Sequence, residues 1–167
     1  MDYLYAPWRS GYIIEGKKRE GCVFCNISAH PEDDEEFHVL YRDELCFVVM
    51  NRYPYTPGHF MIIPHTHTDA LESLEPKVWL RISSLAQRGV AMLKEGFGAE
   101  GVNLGMNLGA AAGAGIAEHI HLHLVPRFMR DTNFITTVGE TRVYSVDFQQ
   151  VYERLKELSG KYFEERQ

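Results

Sequence analysis

The chain has 167 residues, 45% of them hydrophobic and 24% charged, and a formal net charge of -6 from 17 basic and 23 acidic side chains. This is the composition of one ordinary globular domain, spanning residues 1–167, and it argues against a disordered, collagen-like or membrane-spanning chain and against a broad basic surface for nucleic acid. Three cysteines are too few for a disulfide framework, the first residues lack the basic and apolar regions of a secretion signal, and no apolar run approaches the roughly 20 residues of a membrane helix, so a cytoplasmic protein without nucleic-acid or membrane partners is expected.

Residues 1–30 read as an aromatic N-terminal arm (Tyr3, Tyr5, Trp8, Tyr12) followed by a small knuckle around Cys22-Val23-Phe24-Cys25. The acidic run Glu32 to Glu36 reads as a solvated loop. Val39 to Tyr41 and Leu45 to Met50 are short β-branched and aromatic runs joined by a turn, a hairpin pattern in which Cys46 is a core thiol. A proline-punctuated loop, Asn51 to Gly58, leads into a strand from His59 to Ile63. From Asp69 to Phe97 apolar residues recur every three or four positions, which predicts a short helical turn before Pro76 and a long helix after it, closed by Gly96 and Gly98.

Val102 to Asn107 predicts a strand entering the small-residue stretch Gly105 to Gly115, and a histidine-bearing strand follows. A strand pair is expected around Phe134–Val138 and Arg142–Ser145, then a final helix capped by Asp147 with Phe148, Val151, Leu155 and Leu158 on one face. The element order predicts an α+β fold with a largely antiparallel sheet, one long central helix and a C-terminal helix.

The segment His119-Ile120-His121-Leu122-His123-Leu124-Val125 is the most informative in the chain. Side chains alternate faces along a strand, so the three imidazoles share one surface and the aliphatic residues face the core. In a strand His119 and His123 are roughly 13 Å apart, too far for one zinc ion with bonds near 2 Å. At least one end histidine therefore has another task, and a neutral imidazole suits nucleophilic or acid–base work near neutral pH. The preceding loop, Asn107 to Gly115, can aim backbone amides at an anion. An anion cradle beside a nucleophile points to phosphoryl or nucleotidyl transfer.

The histidine segment resembles the signature of the histidine-triad (HIT) superfamily of nucleotide hydrolases and transferases. The resemblance extends over the Asn51 to Pro64 region, Asn107-Leu108-Gly109, Ala112 to Gly115, Glu118-His119 and Val125-Pro126-Arg127 with Asp131 to Phe134, and the N-terminal Tyr5-Ala6-Pro7-Trp8-Arg9 resembles the bacterial diadenosine tetraphosphate phosphorylase-like branch. It implies a HIT-like fold, His121 as nucleophile on the α-phosphorus, and His123 as a phosphate-contacting neighbour. It further implies Asn51 at the ribose, Asn107 at phosphate, and the apolar strands near Phe47 and Ile63 flanking the base. Backbone amides near Gly113, Ala114 and Gly115 would stabilise charge on the phosphoryl oxygens. The chain departs from the hydrolase branches by carrying Gly113-Ala114-Gly115 where they have a Gly-Gln-Ser or Gly-Gln-Thr step, and Phe128 stands where the phosphorylase-like branch often has tryptophan.

Cys22-x-x-Cys25 by itself reads as a zinc knuckle, a redox pair or two core cysteines. The resemblance implies a structural zinc held by Cys22, Cys25, His67 and His119, which leaves His121 for chemistry. The implied activity is cleavage of a nucleoside phosphoanhydride such as diadenosine tetraphosphate through a nucleotidyl-histidine intermediate, by phosphorolysis or hydrolysis, in a homodimer. Alternatives are a nucleoside phosphoramidate hydrolase, an open catalytic zinc site and a non-catalytic nucleotide-binding module. His30, His38 and His65 read as exposed, and His59 as packing at a strand start.

Overall fold

Each apolar run between residues 39 and 127 finds an antiparallel neighbour, and the result is a single five-stranded sheet. The computed structural model describes residues 21–129, 131–140, 144 and 146–164. Strands β1 (Val39–Arg42), β2 (Cys46–Met50), β3 (Phe60–Pro64), β4 (Gly101–Gly105) and β5 (Leu122–Arg127) lie in the order β1-β2-β3-β5-β4. Helices α1 (Val23–Ala29), α2 (Pro76–Ala91), α3 (Phe134–Val138) and α4 (Phe148–Phe163) complete the elements used below. The α+β class and the antiparallel sheet agree with the sequence reading.

The strands β2 and β3 are buried along their whole length because both faces of the sheet are covered. On one face Val48, Met50, Phe60, Ile62, Leu122 and Leu124 pack against Ile82 and Leu85 of α2 and Leu155 of α4. On the other face Phe47, Val49, Met61 and Ile63 lie beneath Phe24 and Ile27 of α1. At Gly89 α2 packs directly on the sheet: a Cβ there would meet Leu124 and Phe60 side-chain carbons at 2.9 Å.

The helical region follows the predicted punctuation. A 3-10 turn at Leu71–Ser73 precedes α2, Pro76 occupies its first turn, and a π turn at Met92–Gly96 ends it. Asp147 caps α4 by accepting a hydrogen bond from the Gln150 amide. That helix covers the β1 edge: Lys156 Nζ donates to the Val39 and Leu40 carbonyls at 2.8 and 3.1 Å, and Ser159 Oγ donates to Leu40 at 2.7 Å.

Residues 134–138 form a helix, not the expected strand. Asn133 accepts from the Ile135 amide and Thr136 Oγ1 accepts from the Asn133 amide, a reciprocal cap that outweighs the β propensity of a segment with no sheet to pack on. The companion strand at Arg142–Ser145 and the N-terminal arm of residues 1–20 lie outside the described residues. Asp34, in the acidic run, is not simply solvated, because it pairs with Arg42. The same guanidinium donates to the Ser28 and Ile27 carbonyls at 3.1 and 3.0 Å and so ties the end of α1 to the sheet.

Candidate functional site

The lead-in to β5 carries the first two histidines of the triad: the strand begins at Leu122, while His119 to His121 approach it as irregular backbone. The Ile120 amide donates to the Thr68 carbonyl, which fixes this lead-in against the segment after β3. His119 is fully buried and His121 is 5% exposed.

At the outer end, Cys22 and Cys25 from the start of α1, His67 from beyond β3, and His119 come together with their ligand atoms all within 4.8 Å of one another. Cys25 Sγ lies 3.1 Å from His67 Nδ1 and 3.6 Å from His119 Nδ1; Cys22 Sγ lies 3.4 Å from His119 Nδ1, and the two Nδ1 atoms are 3.3 Å apart. A tetrahedron built on Zn–S near 2.3 Å and Zn–N near 2.0–2.1 Å has edges of about 3.3–3.8 Å, so this donor set fits zinc. The other ring nitrogen of His119, Nε2, donates to the Pro64 carbonyl at 3.0 Å. That bond leaves Nδ1 as the unprotonated atom toward the cluster, the outer arrangement expected of a metal-ligating imidazole. The chain thus brings together the four residues that the resemblance implied as ligands.

Next along the chain, His121 Nδ1 donates to the His119 carbonyl at 2.8 Å. The proton is held on Nδ1, so Nε2 keeps its lone pair. Phe24 of α1 stands 5.1 Å from the His121 ring and 5.5 Å from the His119 ring between centroids, which couples the knuckle to the triad.

His123 lies edge-on to His121, with centroids 4.9 Å apart, and its Nδ1 is 2.9 Å from His59 Nε2. The Tyr55 amide donates to His59 Nδ1 at 3.2 Å. His59 Nδ1 is therefore an acceptor, its proton sits on Nε2 and is given to His123 Nδ1, and the proton of neutral His123 must sit on Nε2. Burial, followed by the neighbouring histidines, pushes His59 down to about 3 and His123 down to about 4. Both rings are neutral at physiological pH, so the relay presents an N–H donor and not a cation. His59 is the residue that the sequence does not reveal: it reads as packing, and its position before the first residue of β3 carries no sign that it reaches β5.

Asn51 sits beside this relay. Its Oδ1 accepts from the Tyr53 amide at 3.0 Å and its Nδ2 lies 3.3 Å from His59 Nδ1. Asn107 is half-buried and follows two residues after Gly105, the residue opposite His123 in the β4–β5 register. The loop after it is a 3-10 turn, Ala110–Ala112, bounded by Gly109 and Gly113 at φ +81° and +88°. The Gly113 and Ala114 amides donate back within this turn, to Ala110 and Gly109. The Gly115 and Ile116 amides carry no such bond among the described residues.

Phe47 and Ile63 are completely buried under α1 and offer a nucleobase no surface. The open part of the triad face lies in the opposite direction, where Tyr55, Asn103, Val125 and Arg127 line a cleft of about 480 Å³. The spare histidines are more engaged than expected. His65 accepts from Ser28 Oγ at 2.7 Å and donates to the Asp43 carbonyl at 2.9 Å, and His38, at φ 61°, is clasped edge-on by Phe148 and Tyr152. His30 Nδ1 donates to the Asn26 carbonyl at 2.8 Å. Cys46 is a buried core thiol, raised to about 12 by burial and the nearby Asp43 carboxylate.

A family model described as the HIT domain matches residues 32–130. An AP-4-A phosphorylase of Mycobacterium tuberculosis is 37% identical over 153 residues, covering 86% of this chain and 76% of that protein. An adenylylsulfatase of Arabidopsis thaliana is 32% identical over 121 residues, covering 72% of this chain and 59% of that protein. Among solved structures, a Zn-bound histidine triad family protein from Mycobacterium smegmatis superposes with a TM-score of 0.69 at 31% identity, covering 84% of this chain and 94% of its own.

Proposed function

Since the chain belongs to the HIT family, we propose that it cleaves a nucleoside phosphoanhydride at the α-phosphorus, with diadenosine tetraphosphate as the representative substrate. The observation that carries this reading is the His121 tautomer: Nδ1–H is engaged by the His119 carbonyl, so Nε2 is a neutral nucleophile in a row of histidines. His121 Nε2 attacks phosphorus, the P–N bond forms, and the P–O bond to the leaving polyphosphate breaks with its electron pair on that oxygen. His123 Nε2–H, oriented through His59 and the Tyr55 amide, donates to an oxygen of the reacting phosphoryl group. The Gly115 and Ile116 amides, with Asn107, meet the developing charge on the other oxygens, and Asn51 takes the ribose hydroxyls.

In the second step an oxygen nucleophile attacks the nucleotidyl phosphorus, the P–N bond breaks, and His121 Nε2 recovers its lone pair. We favour inorganic phosphate as that nucleophile. The phosphorylase name of the M. tuberculosis relative supports this, as does the open ground at Gly113 and Gly115, where an added Cβ would meet nothing within 4 Å. Incubation with diadenosine tetraphosphate is expected to give ADP and ATP only when phosphate is present, with acid quench trapping nucleotide on His121. AMP plus ATP, unchanged by phosphate, would reject phosphorolysis and leave hydrolysis. Preferential cleavage of an adenosine phosphoramidate would favour that alternative class, and binding without turnover would leave a nucleotide-binding module.

The metal in this reading is a closed, structural zinc on Cys22, Cys25, His67 and His119; when bound it fixes the knuckle and the His119 ring, and the chemistry stays with His121. None of the three cysteines is joined in a disulfide, and two of them belong to the proposed zinc site, which supports a reducing compartment such as the cytoplasm.

We also infer a homodimer. With the β1 edge covered by α4, β4 is the bare edge of the sheet among the described residues, and Leu104 on it is 51% exposed. Such an edge is a template for a second strand. Sedimentation at micromolar concentration is expected to show twice the 19.2 kDa chain mass; a monomer would reject the dimer.

A further inference from the structure

The cleft beyond His123 is not used by the chemistry above, and its lining is specific. Tyr55 is 55% exposed and its ring stacks at 6.1 Å on His123. The loop that carries it is anchored, because the buried Thr56 donates through Oγ1 to the Pro126 carbonyl of β5 at 2.7 Å. Val125 and Arg127 follow His123 on the same face of β5, roughly 7 and 13 Å further along the strand. Asn103, opposite Val125 in the β4–β5 register, completes the wall.

Charge decides what this cleft can hold. Arg127 is the cation in the lining, and it is already paired: Nε and Nη2 donate to the two Asp131 carboxylate oxygens at 2.6 and 2.9 Å, and Nη1 donates to Asn103 Oδ1 at 2.9 Å. A neutralised, three-way-held guanidinium is a poor seat for a terminal phosphate and a good flat surface for an aromatic ring. The fixed Asn103 amide keeps its Nδ2 donor for the edge of such a ring. A phenol ring, an aliphatic side chain, a flat guanidinium and one oriented amide make a surface for a base, and about 480 Å³ falls within the usual range for small-molecule sites.

Direction supports the same occupant. In an in-line displacement the leaving group departs opposite the attacking atom. His121 uses Nδ1 toward His119, which leaves Nε2 for attack, and the rings of His121, His123 and Tyr55 follow one another at 4.9 and 6.1 Å, so a leaving polyphosphate that passes His123 reaches Tyr55 next. We propose that the cleft between Tyr55, Asn103, Val125 and Arg127 binds the second nucleoside of a dinucleoside polyphosphate, its base stacked on Tyr55 and the Arg127 plane, and so selects two-headed over one-headed substrates. This rests on the assignment of His121 as the nucleophile.

The test compares kcat/KM for diadenosine tetraphosphate with that for adenosine 5′-tetraphosphate, which has the same phosphate chain and lacks the second nucleoside. The wild type is expected to prefer the two-headed substrate. Tyr55→Ala is expected to reduce that preference about tenfold, the size of one lost base–aromatic stack, and Asn103→Ala about threefold, the size of one lost hydrogen bond. Asn103 lies exposed on the edge strand, so its variant carries the test if Tyr55→Ala fails to fold. A preference unchanged in a folded variant, or rates that fall equally on both substrates, would overturn the subsite. Acid-quench labelling of His121 is read in parallel: label with an unchanged preference overturns the subsite alone, whereas no label from either substrate overturns the nucleophile assignment and the subsite with it.

Discussion

Replacing His121 by alanine is expected to lower turnover of diadenosine tetraphosphate by about a thousandfold or more, the scale on which removing an enzyme's covalent nucleophile acts. The substitution deletes Nε2, the nitrogen that stays unprotonated while the His121 Nδ1–H is held by the His119 carbonyl. It touches little of the main core, since His121 faces Phe24 and His123 and not α2 or α4. Nucleotide binding, measured by calorimetry, and the far-ultraviolet spectrum are therefore expected to stay close to wild type. A variant that turns over at a tenth of the wild-type rate would sink the assignment. The wild-type pH profile is a companion check. His123 and His59 are lowered to about 4 and about 3, so neither gains a proton between pH 7 and 5, and the His123 donor state persists through that window. Stability carries the same sign: the unfolded rings titrate near 6.5, so the contribution of the neutral buried pair is complete above that pH and is lost as pH falls through about 4 and 3.

Removing the metal is expected to have the second largest effect, and on stability first. One zinc per chain should be found in protein purified without chelator. Cys22→Ser should lose that zinc and lower Tm by roughly 10 °C or more, since structural zinc contributes many kcal/mol and each kcal/mol moves Tm by about 2–4 °C in a domain of this size. The reason lies in what the cluster joins: the start of α1, the segment after β3 and the lead-in to β5 all meet at these four side chains. Turnover per folded molecule should survive better than Tm. Loss of turnover at unchanged Tm would point instead to an open catalytic metal, and protein free of zinc with an unchanged melting curve would remove the site altogether.

The sequence by itself determined the parts of this protein that depend on local periodicity and spacing. Alternation placed the histidines on one face and Leu122 and Leu124 in the core; three- and four-residue spacing marked α2 and α4; and Pro76 and Asp147 marked their starts. The four cluster residues were legible through a family pattern, although His67 lies 42 residues from Cys25 and His119 a further 52. Tertiary structure decided what depends on contacts between distant segments. His59 becomes part of the triad's proton arrangement only because β3 pairs with β5, a register that sets Met61 opposite His123. The resemblance points to the strands near Phe47 and Ile63 as the base-flanking region, and tertiary structure decides that these two side chains themselves lie buried with Phe24 and Ile27 of α1. Tyr55, in a proline-rich loop without periodicity, meets Asn103, Val125 and Arg127 because Thr56 pins its loop to β5. Periodicity reports which side of an element is apolar; it carries no information about which other element will cover that side, and the location of the open cleft is set by that covering.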